Sequence, residues 1–335
     1  MTEPDSTFDS AAGLLGRITE QLAERLAQVR PDGRRQRKYD EEVRPPMNVP
    51  TLAGRSRTGL TTATPAAPTP AYALTPAPAL TPAHAPSPAP TLVAVGHGSR
   101  DPRARATLGR LLDRVRELRP GLDVRLAHIE LNAPLLDETL ADLAAEGRDA
   151  VLVPLLFAPG HHVTHDLPAA LAAAPALRAR IAEPLGAHPL LVEALAGRLT
   201  EAGWTPRDGA SRATGVVLAS AGSRDPRSGA EIRRIAALLG ERLGGVPVVP
   251  AYASAAAPTV PEAVRALTAR GRHRVAVASC FTAPGLFATR AAAHAPWLAA
   301  APLGAHPALA RLVLHRYEQA CTARTTTPVR ELAAI

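Results

Sequence analysis

The sequence predicts an α/β protein made of two tandem copies of one domain, each a small parallel sheet flanked by helices. Three observations predict it. From residue 91 onward, short apolar runs alternate with helical patterns, the mark of βαβ units. The stretch VAVGHGSRDPR at 93–103 returns as VLASAGSRDPR at 217–227, and PLGAHP occurs verbatim at 184–189 and 302–307. An offset of 124 residues holds through Pro134/Pro258 and Phe157/Phe281, so only small insertions separate the copies.

Taken in order, LVAV (92–95) is the first strand and 103–119 a helix. DVRLAHIE (123–130) is the second strand, ending at Glu130, followed by a helix over 134–147. DAVLVPLLF (149–157) is the third strand, with a helix over 165–174, then ARIAEP (179–184) and a helix over 189–202. In the second copy GVVLAS, VPVVPAYAS and HRVAVASCF take the places of the first three strands. Upstream, residues 7–30 repeat Leu14, Leu15, Ile18, Leu22, Leu26 and Val29 at helical spacing. Residues 61–90 hold 9 Pro and 10 Ala, a density that forbids helix and sheet ladders and predicts an extended linker. The expected division is therefore an extension over 1–60, a linker over 61–90, domains over 91–210 and 214–320, and a tail over 321–335.

Composition narrows the function. A chain of 335 residues with 46% hydrophobic content makes two adequate cores, built from Ala, Leu and Val because aromatics are only 3%. Two cysteines, Cys280 and Cys321, predict no disulfide framework and are too few for a thiolate cluster; with no signal peptide and no membrane-length apolar run, cytoplasm is expected. The charge excess of +8 falls almost wholly in residues 214–335, which carry 14 basic and 6 acidic side chains. Such a region suits a polyanionic small molecule. Nucleic acid is disfavoured, since there are few aromatics for stacking and no known module.

In open parallel sheets ligands bind beyond the carboxyl ends of the strands. His97 follows the first strand, Glu130 ends the second and His162 lies just after the third, so three loops are expected to converge there. Two imidazoles and a carboxylate suit a divalent first-row ion. The second copy carries Ala221, Ser254 and Phe287 at these places while keeping GSRDPR and APG. Residues with unrelated roles have no reason to vanish as a set; a shared ligand site lost in one copy explains it. His188 and His306, kept in both copies, are expected to be structural, at a helix start. His161 and His165 are candidate accessory ligands or bases. His128 and Cys280 are expected to be packed.

LVAVGHGSRDP, IELNAP and VLVPLLFAPGHHVTHDLP together resemble the small tetrapyrrole chelatases, the sirohydrochlorin chelatase family that includes cobaltochelatases. The resemblance covers about residues 91–320, the second domain being a degenerate relative of the first. It implies two tandem chelatase-like domains. His97 and His162 would be the metal-binding histidines, with Glu130 as the acidic catalytic residue beside them. The sequence departs from the family pattern at His165, where Arg is expected, and at Pro159; Arg290 takes the place of His165 in the second copy.

The implied reaction inserts a divalent metal, Fe2+ or Co2+ with Ni2+ as a further option, into sirohydrochlorin, in siroheme or cobalamin synthesis. The enzyme would be a lyase with no organic cofactor. The absence of a long His-rich tract leans to iron. Ser99, Arg100, Arg224 and Arg290 are candidate contacts for the ring's carboxylates, as guanidinium suits carboxylate. Protonated imidazole binds no metal, so activity is expected to fall in acid. The partners expected are this tetrapyrrole, with no nucleic acid and no membrane, in a monomer or homodimer. Two readings compete: a metal- or tetrapyrrole-binding protein without turnover, and a zinc hydrolase, for which no H-E-x-x-H pattern is present.

Overall fold

The computed structural model describes residues 89–323. The helix expected over 7–30, nearly all of the 61–90 linker and the end of the 321–335 tail lie outside the described residues. In the first repeat the chain runs through β1 (Thr91–Gly96), α1 (Pro102–Leu118), β2 (Val124–His128) and α2 (Leu136–Ala145). It continues through β3 (Ala150–Pro154), a π-helical turn (His162–Asp166), α3 (Leu167–Ala173), β4 (Ala179–Ile181) and α4 (Pro189–Glu201). A short α5 (Pro206–Ala210) leads to the second repeat: β5 (Thr214–Ser220), α6 (Pro226–Arg242), β6 (Val248–Tyr252) and α7 (Val260–Thr268), then β7 (Arg274–Ser279), α8 (Leu286–Ala293), β8 (Leu298–Ala299) and α9 (Pro307–Thr322).

The sheets have the same order, β2-β1-β3-β4 and β6-β5-β7-β8, and every strand pair is parallel. The inner strands β1, β3 and β5 are buried at every residue, as strands covered on both faces must be. In each sheet the chain leaves its first strand toward one neighbour and reaches the third strand on the other side. This is the switch point at which open α/β sheets bind ligands, between β1 and β3 here.

Some expected bounds move. The second strand stops at His128, so Glu130 stands two residues beyond it in a bend. The helix expected over 165–174 begins as a π turn, and regular helix starts only at Leu167. The helix expected over 134–147 is shorter, because Pro134 and Leu135 remain extended or bent ahead of it. The helix α5 was not expected at all.

The repeats share one core. Leu111 and Leu112 of α1, Leu195 and Leu199 of α4, Ile235 and Leu239 of α6, and Leu312 and Val313 of α9 belong to a single buried cluster with residues of both sheets. Helices α4 and α9 are exchanged: α4 ends the first repeat yet packs on β7, and α9 ends the second yet packs on β3. Matching polar contacts secure the exchange. Arg198 of α4 donates to the Leu303 carbonyl at 2.6 Å, and Arg316 of α9 donates to the Leu185 carbonyl at 2.8 Å. Both carbonyls lie in the duplicated PLGAHP, which explains one reason for its retention. Among the described residues no helix is long and apolar enough to cross a membrane.

His188 and His306 do stand at helix starts. Each is an N-cap whose Nδ1 accepts a backbone hydrogen bond, from Leu190 at 3.1 Å and from Ala308 at 3.2 Å. An imidazole can accept there only when neutral. Burial lowers the pKa of both below the usual value, helped by Arg316 beside His188 and Arg198 beside His306. A group with a depressed imidazole pKa in the folded state binds its proton more readily when unfolded. Stability is therefore lost as pH falls through the unfolded value of about 6.5. We expect a lower Tm at about pH 5 than at about pH 7.5. His188→Asn/His306→Asn, which keeps a capping acceptor without a titrating group, is expected to shrink that difference; thermal melts at the two pH values check it.

Candidate functional site

The loops after β1 and β5 have the same construction. Asp101 and Asp225 are the N-caps of α1 and α6; each carboxylate accepts from a backbone NH two residues on, Arg103 or Arg227, at 2.9 Å. Ser99 and Ser223 hydroxyls each accept from the Asp backbone NH at 3.1 Å. Pro102 and Pro226 open the helices, where a missing NH costs nothing. Arg103 and Arg227 fold back onto the capping carboxylates at 2.7 Å, and the hydrogen bonds from Arg103 hold Asp101 down at about 2. The duplicated SRDPR is thus a capping motif, and Ser99 and Arg227 are largely committed to it.

Behind the cap, the backbone NH of Glu130 donates to the His97 carbonyl at 3.0 Å, and the NH of Ser254 donates to the Ala221 carbonyl at 2.9 Å. Gly98 and Gly222 lie in the left-handed region, at φ 111° and 94°. A Cβ on either would stand 1.9 Å from the carbonyl oxygen of Glu130 or Ser254. The same scaffold therefore presents His97 and Glu130 in one repeat and Ala221 and Ser254 in the other.

The structure brings His97, Glu130 and His162 together. The two imidazole rings stand 4.6 Å apart at 87°, edge to face. His97 Nδ1 lies 3.5 Å from Glu130 Oε1, and His162 Nδ1 lies 2.6 Å from Asp166 Oδ2. A carboxylate only accepts, so His162 Nδ1 carries the proton and its Nε2 keeps the lone pair. The two rings stand side by side at the carboxyl ends of β1 and β3. Among the described residues no group of three or more His, Cys, Asp or Glu is arranged to hold an ion. Of the two carboxylates, Asp166 is hydrogen-bonded to a ring nitrogen, and Glu130 stands 3.5 Å from His97 Nδ1.

Asp166 was not anticipated. The π turn brings it back against His162, and Asp166 Oδ1 also lies 3.5 Å from His161 Nε2. The signal was present in the duplication: Ala291 takes its place in the second repeat. Asn132 was also missed; its Oδ1 accepts from the Ser99 backbone NH at 2.7 Å and ties the His97 loop to the Glu130 loop. His161 and His165 stack on each other at 4.6 Å, both exposed. His128 is buried, as expected; its Nδ1 has no partner and burial lowers its pKa. Cys280 is buried too, as expected, and burial pushes its thiol up.

These loops open on a cleft of about 1310 Å3 between the repeats, larger than the roughly 300–1,000 Å3 typical of drug-sized ligands. His97, Ser99, Arg100, Glu130 and His162 line it from the first repeat. Ala221, Ser254 and Phe287 line it from the second. Arg224 and Arg290 are exposed but are not among its lining residues. Each has its side chain on the surface next to a loop residue that does line it.

Comparison with known proteins matches the CbiX family model to residues 91–202 and again to 215–320, well over half of the chain. The sirohydrochlorin cobaltochelatase of Priestia megaterium is 26% identical over 209 residues, 60% of this chain and 66% of that protein. The sirohydrochlorin ferrochelatase of Bacillus subtilis is 27% identical over 176 residues, 51% of this chain and 66% of that protein. The chain thus spans just under two thirds of the length of these two relatives. Among solved structures, SirB from Bacillus subtilis with Fe3+ has a TM-score of 0.58 at 23% identity, covering 69% of this chain and 95% of SirB. At that identity the likeness speaks for the fold.

The two glycines give a paired prediction. Gly98→Ala and Gly222→Ala should each lower stability by about 2 kcal/mol or more, from left-handed strain and the backbone clash. Only Gly98→Ala should also weaken Co2+ binding, because only its loop carries His97. Thermal melts beside a Co2+ titration check both.

Proposed function

The chain belongs to the CbiX family as a two-repeat member, and on that premise we propose that it inserts a divalent metal into sirohydrochlorin. The observation that carries the reading is the His97–His162 pair, 4.6 Å apart on the wall of a cleft large enough for a macrocycle. The substrates are the metal-free ring, bearing two pyrrole NH protons, and M2+; the products are the metallated ring and two protons. Fe2+ and Co2+ are the metals proposed, and Ni2+ is the third to test, since relatives named for both iron and cobalt match comparably.

His97 and His162 would hold the ion by Nε2, replacing part of its water shell. Asp166 fixes the His162 ring through Nδ1, as carboxylates behind metal-bound histidines do, and Glu130 stands 3.5 Å from His97 Nδ1. As ring nitrogens displace the imidazoles, each freed imidazole accepts one of the two pyrrole protons, and Glu130 beside His97 and Asp166 beside His162 pass them on toward solvent. Arg100 at the cleft and Arg224 and Arg290 farther out supply positive charge toward the ring's carboxylates. Ser99 contributes by shaping the loop. One chain furnishes both walls of the cleft, so a cytoplasmic monomer is a complete unit.

The test is an insertion assay with purified protein, sirohydrochlorin and competing Fe2+, Co2+ and Ni2+, read in the Soret region. Wild type is expected to insert metal. His97→Ala is expected to lose activity about 100-fold or more, the scale of a lost acid–base group. Ring binding without insertion by the wild type would turn the reading into that of a tetrapyrrole-binding protein. Asp166→Asn should weaken metal binding about 10- to 100-fold, the usual cost of removing a carboxylate that orients a ligating histidine; calorimetry with Co2+ measures it. Substrate affinity should also fall as salt is raised, through screening of the arginines.

A further inference from the structure

The second repeat has not merely lost its histidines. Where the first has His161 and His162, the second has Leu286 and Phe287. Large apolar side chains are rarely left open, yet Leu286 is 61% exposed and Phe287 38%. Leu131, next to Glu130, is 53% exposed and held at φ 68°. All three line the cleft. An exposed apolar cluster of this kind marks a binding surface.

The loops interlock across the two repeats. The Cβ position of Gly285 lies 3.4 Å from Ser99 Oγ, and that of Gly160 lies 3.6 Å from Ser223 Oγ. The segment carrying Leu286 and Phe287 therefore abuts the loop of His97. The segment carrying His161 and His162 abuts the loop of Ser223. Four loops thus ring one cavity, with His161 and His162 on the first repeat's loop after β3 and Leu286 and Phe287 at the matching place in the second.

We infer that Leu286 and Phe287 form an apolar shelf for one face of the macrocycle, leaving the opposite face to His97 and His162, so that metal enters from one side only. The inference rests on the tetrapyrrole reading of the cleft. A conjugated ring is apolar on its faces and charged at its edge. Its face suits Leu286 and the aromatic Phe287, which stacks on a π system, while its carboxylates reach Arg100 at the rim. The asymmetry also sets the stoichiometry, because Ala221, Ser254 and Phe287 offer no ligand pair on the second wall.

The test compares Leu286→Ser/Phe287→Ser with wild type and His97→Ala in two titrations: metal-free sirohydrochlorin by absorbance, and Co2+ alone by calorimetry. Both substituted side chains are exposed, and a thermal melt confirms the fold. The double variant is expected to bind the ring at least tenfold more weakly and Co2+ within twofold of wild type. His97→Ala is expected to show the reverse, and Phe287→Trp to keep wild-type ring affinity. A second variant, Ala221→His/Phe287→His, is expected to bind two Co2+ per chain instead of one and to weaken ring binding. Unchanged ring affinity in Leu286→Ser/Phe287→Ser, with a wild type that binds and metallates the ring, overturns the shelf alone. A wild type that binds no ring overturns the function proposed for the cleft and the shelf with it.

Discussion

The terminal helix of each repeat lies on the other repeat's sheet, and the geometry of the cleft follows from that exchange. Were α4 and α9 to remain on their own sheets, the repeats would each close a core and meet through a surface. Instead Leu195, Leu199, Leu312 and Val313 sit in a core common to both sheets. Arg198 and Arg316 bond to carbonyls of the opposite repeat. Close-packed interiors have few alternative arrangements. The carboxyl ends of the two sheets are therefore held at a set separation, and the loops after β1, β3, β5 and β7 face one cavity.

On this frame, backbone and side chain have separate histories. The Gly98 and Gly222 conformations, the Glu130-to-His97 and Ser254-to-Ala221 hydrogen bonds, and the Asp101 and Asp225 caps are shared. They are needed wherever the chain turns from strand to helix at this angle. His97, Glu130, His162 and Asp166 are not shared. A duplication read this way sorts structural residues from chemical ones within a single chain. It moves Ser99 toward the structural set, because Ser223 accepts the same hydrogen bond in a repeat that carries Ala221 and Phe287 in place of His97 and His162.

The parallel strands and the position of His97 in a loop beyond one of them were legible because apolar runs of parallel strands have sharp ends, whereas Glu130, read as the end of a strand, stands two residues past it. The distance between His97 and His162 was not, since it depends on how two crossover loops pack. Asp166 escaped because a helix pattern over 165–174 reads the same whether its first turn is α or π, and only the π turn folds Asp166 back to His162. Arg224 and Arg290 were singled out for charge and sequence position, but exposure of long side chains is decided by local packing, and both lie outside the cleft lining. His188 and His306 were legible as structural from their retention alone; their capping role needed the coordinates.

The use of carboxylates at this site bears on what the imidazoles can do with an ion. Closed cages of four ligands hold zinc by about 10–16 kcal/mol, strongly enough to drive folding. Glu130 and Asp166 have the chemistry to help build such a cage, yet they approach the Nδ1 atoms instead. The hydrogen bond from His162 Nδ1 to Asp166 restricts that ring's rotation without Asp166 occupying a coordination position. Two oriented imidazoles leave most of an ion's positions to water or to incoming nitrogen donors. On the function proposed, a third protein ligand would add affinity at the expense of release.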